Sequence, residues 1–347
     1  MVKEWNLLRT IACLTVVLLH SSTLIGREIG YPQLDSYHIF RIILCFATPT
    51  FIVLSEIILS NKYQSNIPNN FFKRRVKLIF GPFITFAIVD ALVVNYLSTN
   101  GINIGEKVFN NFLGRYEGYF ILIIFQFYIL HYLIIRFKIS VKKILPISII
   151  IMVIHLSVLN SNISFINEYK QYFNLLFTAW FGYFTVAFLI GKYYESIARF
   201  LKSYRWVTLL LVCFAIYLIS MSFNAGIAAV DSKRIDIFPL SIAISLAIIA
   251  WGQSIPNFKI IDLISNYSLG IYLIHWQVQT LVAPYIASVF NSTAFGIIGL
   301  FLISLILSMS IIKIISLLPF GKYMVGNTKR KYKKTQAKSN VLKKETA

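Results

Sequence analysis

Charge is scarce in this chain. Of 347 residues only 13% are charged, and only 13 are Asp or Glu, whereas roughly 25% of a soluble domain is charged. That scarcity excludes an ordinary water-soluble fold, because no soluble core of this length could hide so much apolar surface. Cysteine is nearly absent too. Cys13, Cys45 and Cys213 all lie inside apolar runs, with no CxxC pair and no Cys/His cluster. This excludes a disulfide framework and a metal centre, and leaves packing as their role. Also lacking is any polar domain that could present the net charge of +20 to a nucleic acid, so no nucleic-acid partner is expected. The 33 Lys and Arg residues sit between apolar runs and in the tail, where they suit an anionic lipid surface.

What the chain has instead is hydrophobic length. Hydrophobic residues make up 57% of it, with 29 Phe and 20 Tyr, and the mean hydropathy is +0.72. About 20 apolar residues in a helix cross a hydrocarbon layer of about 30 Å. Runs of this kind fall at 6–26, 39–59, 77–97, 116–136, 144–160, 173–193, 205–224, 236–253, 267–288 and 293–317. They predict an all-α, polytopic integral membrane protein of about ten transmembrane helices. The first run, Trp5 to Gly26, lacks a small-residue cleavage pattern and carries Arg9 and His20, so it reads as a retained helix and not a signal peptide. Residues 1–321 are expected to form one transmembrane domain, and 322–347 a basic, disordered tail. Alternate connections hold the cations: Lys62, Lys73, Arg74, Arg75 and Lys77, then Arg136, Lys138, Lys142 and Lys143, then Lys192, Arg199, Lys202 and Arg205, then Lys259. That bias places both termini in the cytoplasm of a multi-pass cell-membrane protein.

Ionisable groups within such spans are costly, and each is a functional candidate. Arg9 and His20 stand eleven residues apart in the first helix, close to three turns, so they share a face about 16 Å apart in depth. One reading joins a cationic site near the inner end to a base near the outer end. The other is a snorkelling Arg and a hydrogen-bonded interfacial His. Phe71-Phe72-Lys73-Arg74-Arg75-Val76-Lys77, before Pro82, is either a positive-inside flank or a phosphate clamp, since Arg forks bind phosphate bidentately. Ser268, Tyr272 and His275 fall at i, i+4 and i+7, one stripe that either lines a polar cavity or bonds helices together. Glu117 opens the fourth span and would orient His20 if the two helices adjoin. Asp90 lies within the third span, and His131 and His155 read as packing residues.

These motifs, taken in order, resemble the membrane acyltransferase 3 family. Leu8-Arg9 through His20 resembles its opening Arg-x10-His signature, and Pro49-Thr50-Phe51-Ile52-Val53-Leu54-Ser55 its second-helix motif. The basic Phe-rich segment before Pro82 resembles its third-helix entry, Trp180-Phe181-Gly182-Tyr183-Phe184 with Gly191 a later motif, and Ser268-x3-Tyr272-Leu273-Ile274-His275 the late Ser-x3-Tyr-Leu-x-His motif. Gly118-Tyr119-Phe120 with Gln126 is similar to the branch acting in the poly-N-acetylglucosamine adhesin system. Three departures stand out: Glu56 where Gly is common, Lys77 in place of the second Arg of Arg-x-x-Arg, and Trp276 where Pro is common.

The resemblance implies a bacterial O-acyltransferase. It would move an acetyl or succinyl group from acyl-CoA, as donor substrate with no bound cofactor, to a hydroxyl of an envelope polysaccharide or lipid-linked sugar. His20 would be the base and Arg9 its cationic partner in catalysis. Arg74, Arg75 and Lys77 would hold acyl-CoA, while Ser268, Tyr272, His275 and Glu117 would line the cavity. A polysaccharide exporter or flippase is the alternative that ten spans with buried charge also suit, although no two-fold repeat of Gly/Pro-broken helices is present.

Overall fold

The computed structural model describes residues 2–161 and 163–328, and its regular structure is entirely helical. The helices are α1 (Lys3–Ile29), α2 (Asp35–Leu44), α3 (Ala47–Lys62), α4 (Phe71–Arg75), α5 (Gly81–Leu97), α6 (Ile104–Phe112), α7 (Phe120–Arg136) and α8 (Val141–Leu159). They continue as α9 (Ser164–Phe173), α10 (Phe181–Lys192), α11 (Tyr194–Ser203), α12 (Arg205–Asn224), α13 (Ile237–Gly252), α14 (Lys259–Val289), α15 (Thr293–Leu317) and α16 (Gly321–Met324). Among the described residues seven stretches are long and apolar enough to cross a membrane: Lys3–Ile29, Asp35–Lys62, Phe71–Leu97, Ile104–Arg136, Val141–Leu159, Arg205–Asn224 and Thr293–Leu317. Ser164–Phe173 with Phe177–Lys192 forms an eighth, bent by 74°, and α13 is a shorter apolar helix. The 31-residue α14 completes a polytopic bundle of about ten crossing segments. Its Ser268, His275, Gln277 and Gln279 are buried, and a helix this polar is stable there because its neighbours screen it from lipid.

Local chemistry explains the irregular segments. Pro82 offers no N–H to the carbonyl four residues back. The chain answers with one π-helical turn, Val76–Phe80, in which the Gly81 N–H reaches Val76 O, the usual form of a π-bulge. The 74° bend before α10 leaves backbone groups without helical partners, which hydrocarbon cannot satisfy. Gln126 of α7 satisfies both, donating to Leu175 O at 2.7 Å and accepting from Phe177 N at 3.0 Å. The second predicted span is broken in two at Cys45 and Phe46. Where α3 meets α10, a Cβ at Gly191 would collide with Ser60 Oγ and the Ile57 carbonyl, a small-residue contact of the kind that lets membrane helices approach closely.

Polar ties gather each end of the bundle. At one end Lys3 Nζ donates to Ile255 O at 2.9 Å, Tyr194 OH to Glu4 at 2.8 Å and Asn61 to Gly191 O at 3.2 Å. This end carries the first and last described residues and the Lys/Arg-rich connections. At the other, Arg41 Nε donates to Ser22 Oγ at 3.1 Å. There Asp90 of α5 binds Lys107 at 3.2 Å, Asn111 at 2.8 Å and Gln277 at 3.0 Å, tying α5, α6 and α14 together. Residues 322–328 of the expected tail pack on the bundle, with Val325 buried. The rest of that tail, 329–347, lies outside the described residues.

Candidate active site

The most extensive helix pairing is α1 against α14, and polar side chains join the two along their length. Asn6 Nδ2 donates to Asp262 at 2.8 Å, Thr10 to Ile261 O at 2.9 Å, and Gln279 Nε2 to Val17 O at 2.9 Å. Arg9 and His20, three turns apart, share one face as their spacing predicts, and that face meets α14. Arg9 Nη1 lies 3.0 Å from Ser265 Oγ and 3.5 Å from Asn6 Oδ1.

Near the opposite end His20 meets three groups. Its ring centroid is 5.2 Å from that of His275 and 5.0 Å, edge-on, from Trp276. Its Nε2 is 3.7 Å from Glu117 Oε2, with side-chain exposures of 21% and 32%. Thus α1 and the turn Glu117–Tyr119 do adjoin, which sequence alone left open. Tyr272 anchors that turn, its hydroxyl donating to Glu117 O at 2.8 Å, and its ring packs on Phe51 and Phe120 at 5.7 and 5.5 Å. His275 Nδ1 is 3.0 Å from Ile271 O. A carbonyl only accepts, so the proton is assigned to Nδ1. Nε2 is then a lone-pair acceptor, buried and without a hydrogen-bond partner. Ser268 spends its hydroxyl on Ser265 O at 3.0 Å, holding α14's own backbone.

Two further cations, Arg27 and Lys233, stand near this group. Arg27 lies 5.6 Å from the Trp276 ring. Lys233, from the α12–α13 connection, sits 6.0 Å from the Tyr119 ring and 2.9 Å from Asp231. Burial works to lower the Lys233 pKa, but Tyr119, Asp231 and Glu117 outweigh it and raise the pKa above the usual lysine value, so Lys233 stays cationic. Nothing in its sequence context marks Lys233, because the contact is made by a loop distant in the chain.

The basic cluster divides at the other end. Arg74 and Lys77, three residues apart on one helical face, line a pocket of about 250 Å³ with Leu78, Lys322, Tyr323 and Asn327. Arg75 points elsewhere, with its guanidinium 4.9 Å from the Tyr128 ring and 5.1 Å from Phe71. Glu56, the unusual residue of the second-helix motif, meets His131 at 2.7 Å with both side chains at most 2% exposed. The packing role expected for His131 is therefore corrected to a buried pair, and opposite ionisable groups in two spans were the available signal. Among the described residues no group of three His, Cys, Asp or Glu could hold a metal ion.

Residues 2–313 match the family model described as an acyltransferase domain. The chain is 33% identical over 291 residues to the "Putative membrane-bound acyltransferase YfiQ" of Bacillus subtilis, covering 79% of this chain and 80% of that one. It is 27% identical over 282 residues to the "Probable poly-beta-1,6-N-acetyl-D-glucosamine export protein" of Staphylococcus aureus, covering 77% and 79%. The protein of the same name from Staphylococcus epidermidis is 27% identical over 214 residues, covering 59% and 60%. No solved structure matches the chain.

Proposed function

The chain belongs to the acyltransferase domain family, and from that membership we propose that it transfers an acetyl or succinyl group from cytoplasmic acyl-CoA to a hydroxyl of an envelope glycan or lipid-linked sugar. The observation that carries this reading is the placement of His20 between Glu117 and His275 at one end of the α1–α14 seam. Arg74 and Lys77 line a cationic pocket with residues 322–327, at the Lys/Arg-rich end of the bundle. The Lys/Arg-rich end is taken as cytoplasmic. The donor's phosphates sit at Arg74 and Lys77, and its pantetheine arm runs up the bundle toward His20.

With Nε2–H of His20 held toward the Glu117 carboxylate, Nδ1 receives the proton of the acceptor hydroxyl as that oxygen attacks the thioester carbonyl. The new C–O bond forms and the C–S bond breaks. The CoA thiolate leaves and takes up the proton that His20 accepted. General-base assistance of this kind is worth typically about 10²–10⁴ in rate. Glu117 stabilises the imidazolium formed on the way. Arg9, fixed by Ser265 and Asn6, supplies positive charge along the donor's path, and Tyr272 and His275 shape the acceptor side. The test is His20→Ala: transfer from labelled acyl-CoA to envelope glycan is lost while membrane insertion is unchanged. Full activity in that variant removes His20 from the mechanism.

The names of the staphylococcal relatives favour a second reading, glycan export. Deleting the protein and analysing surface polysaccharide separates the two. Exported polymer lacking ester groups supports the transferase, and polymer trapped inside supports the exporter.

A further inference from the structure

The last residues of the bundle bear on the donor end. The segment 321–327 folds back so closely that a Cβ at Gly81 would lie 2.6 Å from the Tyr323 carbonyl oxygen, and one at Gly326 2.9 Å from Leu269. Gly326 also adopts φ +83°, a left-handed conformation that glycine tolerates best. These contacts and buried Val325 seat the segment on the π-turn and α14. The seating brings Lys322 opposite Arg74 and Lys77. Two ammonium groups lie near the Tyr323 ring, Lys322 Nζ at 4.9 Å and Lys77 Nζ at 6.0 Å from its centroid.

A positive-inside flank explains cations that spread into water. Arg74, Lys77 and Lys322 are exposed, but a flank alone does not explain why all three line one open pocket of about 250 Å³ with no acidic residue among its described lining side chains. Like charges so placed repel one another, and a ligand carrying several negative charges relieves that repulsion. Phosphate groups meet the requirement, since Arg binds them through paired N–H donors and Lys as point charges.

We propose that the C-terminal segment 321–327 is the second wall of the donor site, with Lys322 and Tyr323 closing on Arg74 and Lys77 around the phosphates of a nucleotide thioester. This rests on the acyl-CoA reading of Arg74 and Lys77 above and extends it to a part of the chain distant in sequence. It also makes docking of the segment 321–327 a condition for tight donor binding.

The test uses the full chain in phosphatidylcholine nanodiscs, with coenzyme A as the binding probe and acyl-CoA and acyl-pantetheine as donors. Lys322 is exposed, so Lys322→Gln leaves the fold intact. Losing one charge-assisted phosphate contact weakens coenzyme A binding and raises the acyl-CoA KM by roughly tenfold or more. Transfer from acyl-pantetheine, which lacks the nucleotide phosphates, stays at the wild-type rate. Tyr323→Ala has the same effect in the same direction. If both variants keep the wild-type KM while Arg74→Gln and Lys77→Gln raise it, the inference about the C-terminal wall falls and the donor reading stands. If none of the four changes the KM, both fall. The rival phosphate source is a lipid headgroup. Phosphatidylglycerol binding that is lost in Lys322→Gln, with coenzyme A affinity unchanged, assigns the pocket to lipid and overturns the proposal.

Discussion

Glu117→Gln keeps the shape of the turn that holds His20 and removes only the charge. At 3.7 Å and an effective dielectric of about 20, a unit pair attracts by about 4 kcal/mol. Both side chains are partly exposed, and solvent screening reduces the usable part to about 2 kcal/mol. That attraction exists only while the imidazole carries a proton, so it stabilises the transition state relative to the resting enzyme. Its loss slows transfer by roughly 30-fold, at about 1.4 kcal/mol per tenfold. The assay is single-turnover transfer from labelled acyl-CoA in proteoliposomes, comparing wild type, Glu117→Gln, His20→Ala and the double variant. Because the carboxylate acts through the imidazole, the double variant is no slower than His20→Ala alone. A Glu117→Gln rate within twofold of wild type refutes this reasoning. So does a double variant slower than His20→Ala by the full single-mutant factor.

The remaining predictions concern the buried pair and the divided basic cluster. Glu56→Ala or His131→Ala alone strands a charge or polar group at most 2% exposed and costs about 3–5 kcal/mol, whereas Glu56→Leu with His131→Leu together is much better tolerated. Thermal unfolding in detergent measures the difference, and equal losses for single and double variants contradict the pairing. Arg75→Gln removes stacking on Tyr128 and Phe71, worth about 1–2 kcal/mol. It therefore lowers stability and leaves the acyl-CoA KM near wild type, whereas Arg74→Gln does the reverse. A raised KM in Arg75→Gln would return that residue to the donor site.

The number and kind of crossing segments followed from composition and run length, because lipid is an undemanding solvent. A span must be apolar, about 20 residues long and internally hydrogen-bonded, so the runs ending in α13 and α15 were legible from composition. The shared face of Arg9 and His20 followed from helical periodicity alone, and α14 does receive both. Partners across the bundle were not legible, because spacing within one helix says nothing about which other helix lies beside it. Only the tertiary structure set Glu117 against His20, paired Glu56 with His131, turned Arg75 away from Arg74, and returned Lys322 to the π-turn from a position more than two hundred residues further along the chain. Each of these is a contact between side chains far apart in the sequence. Their strength depends on distance and burial, and packing alone assigns both.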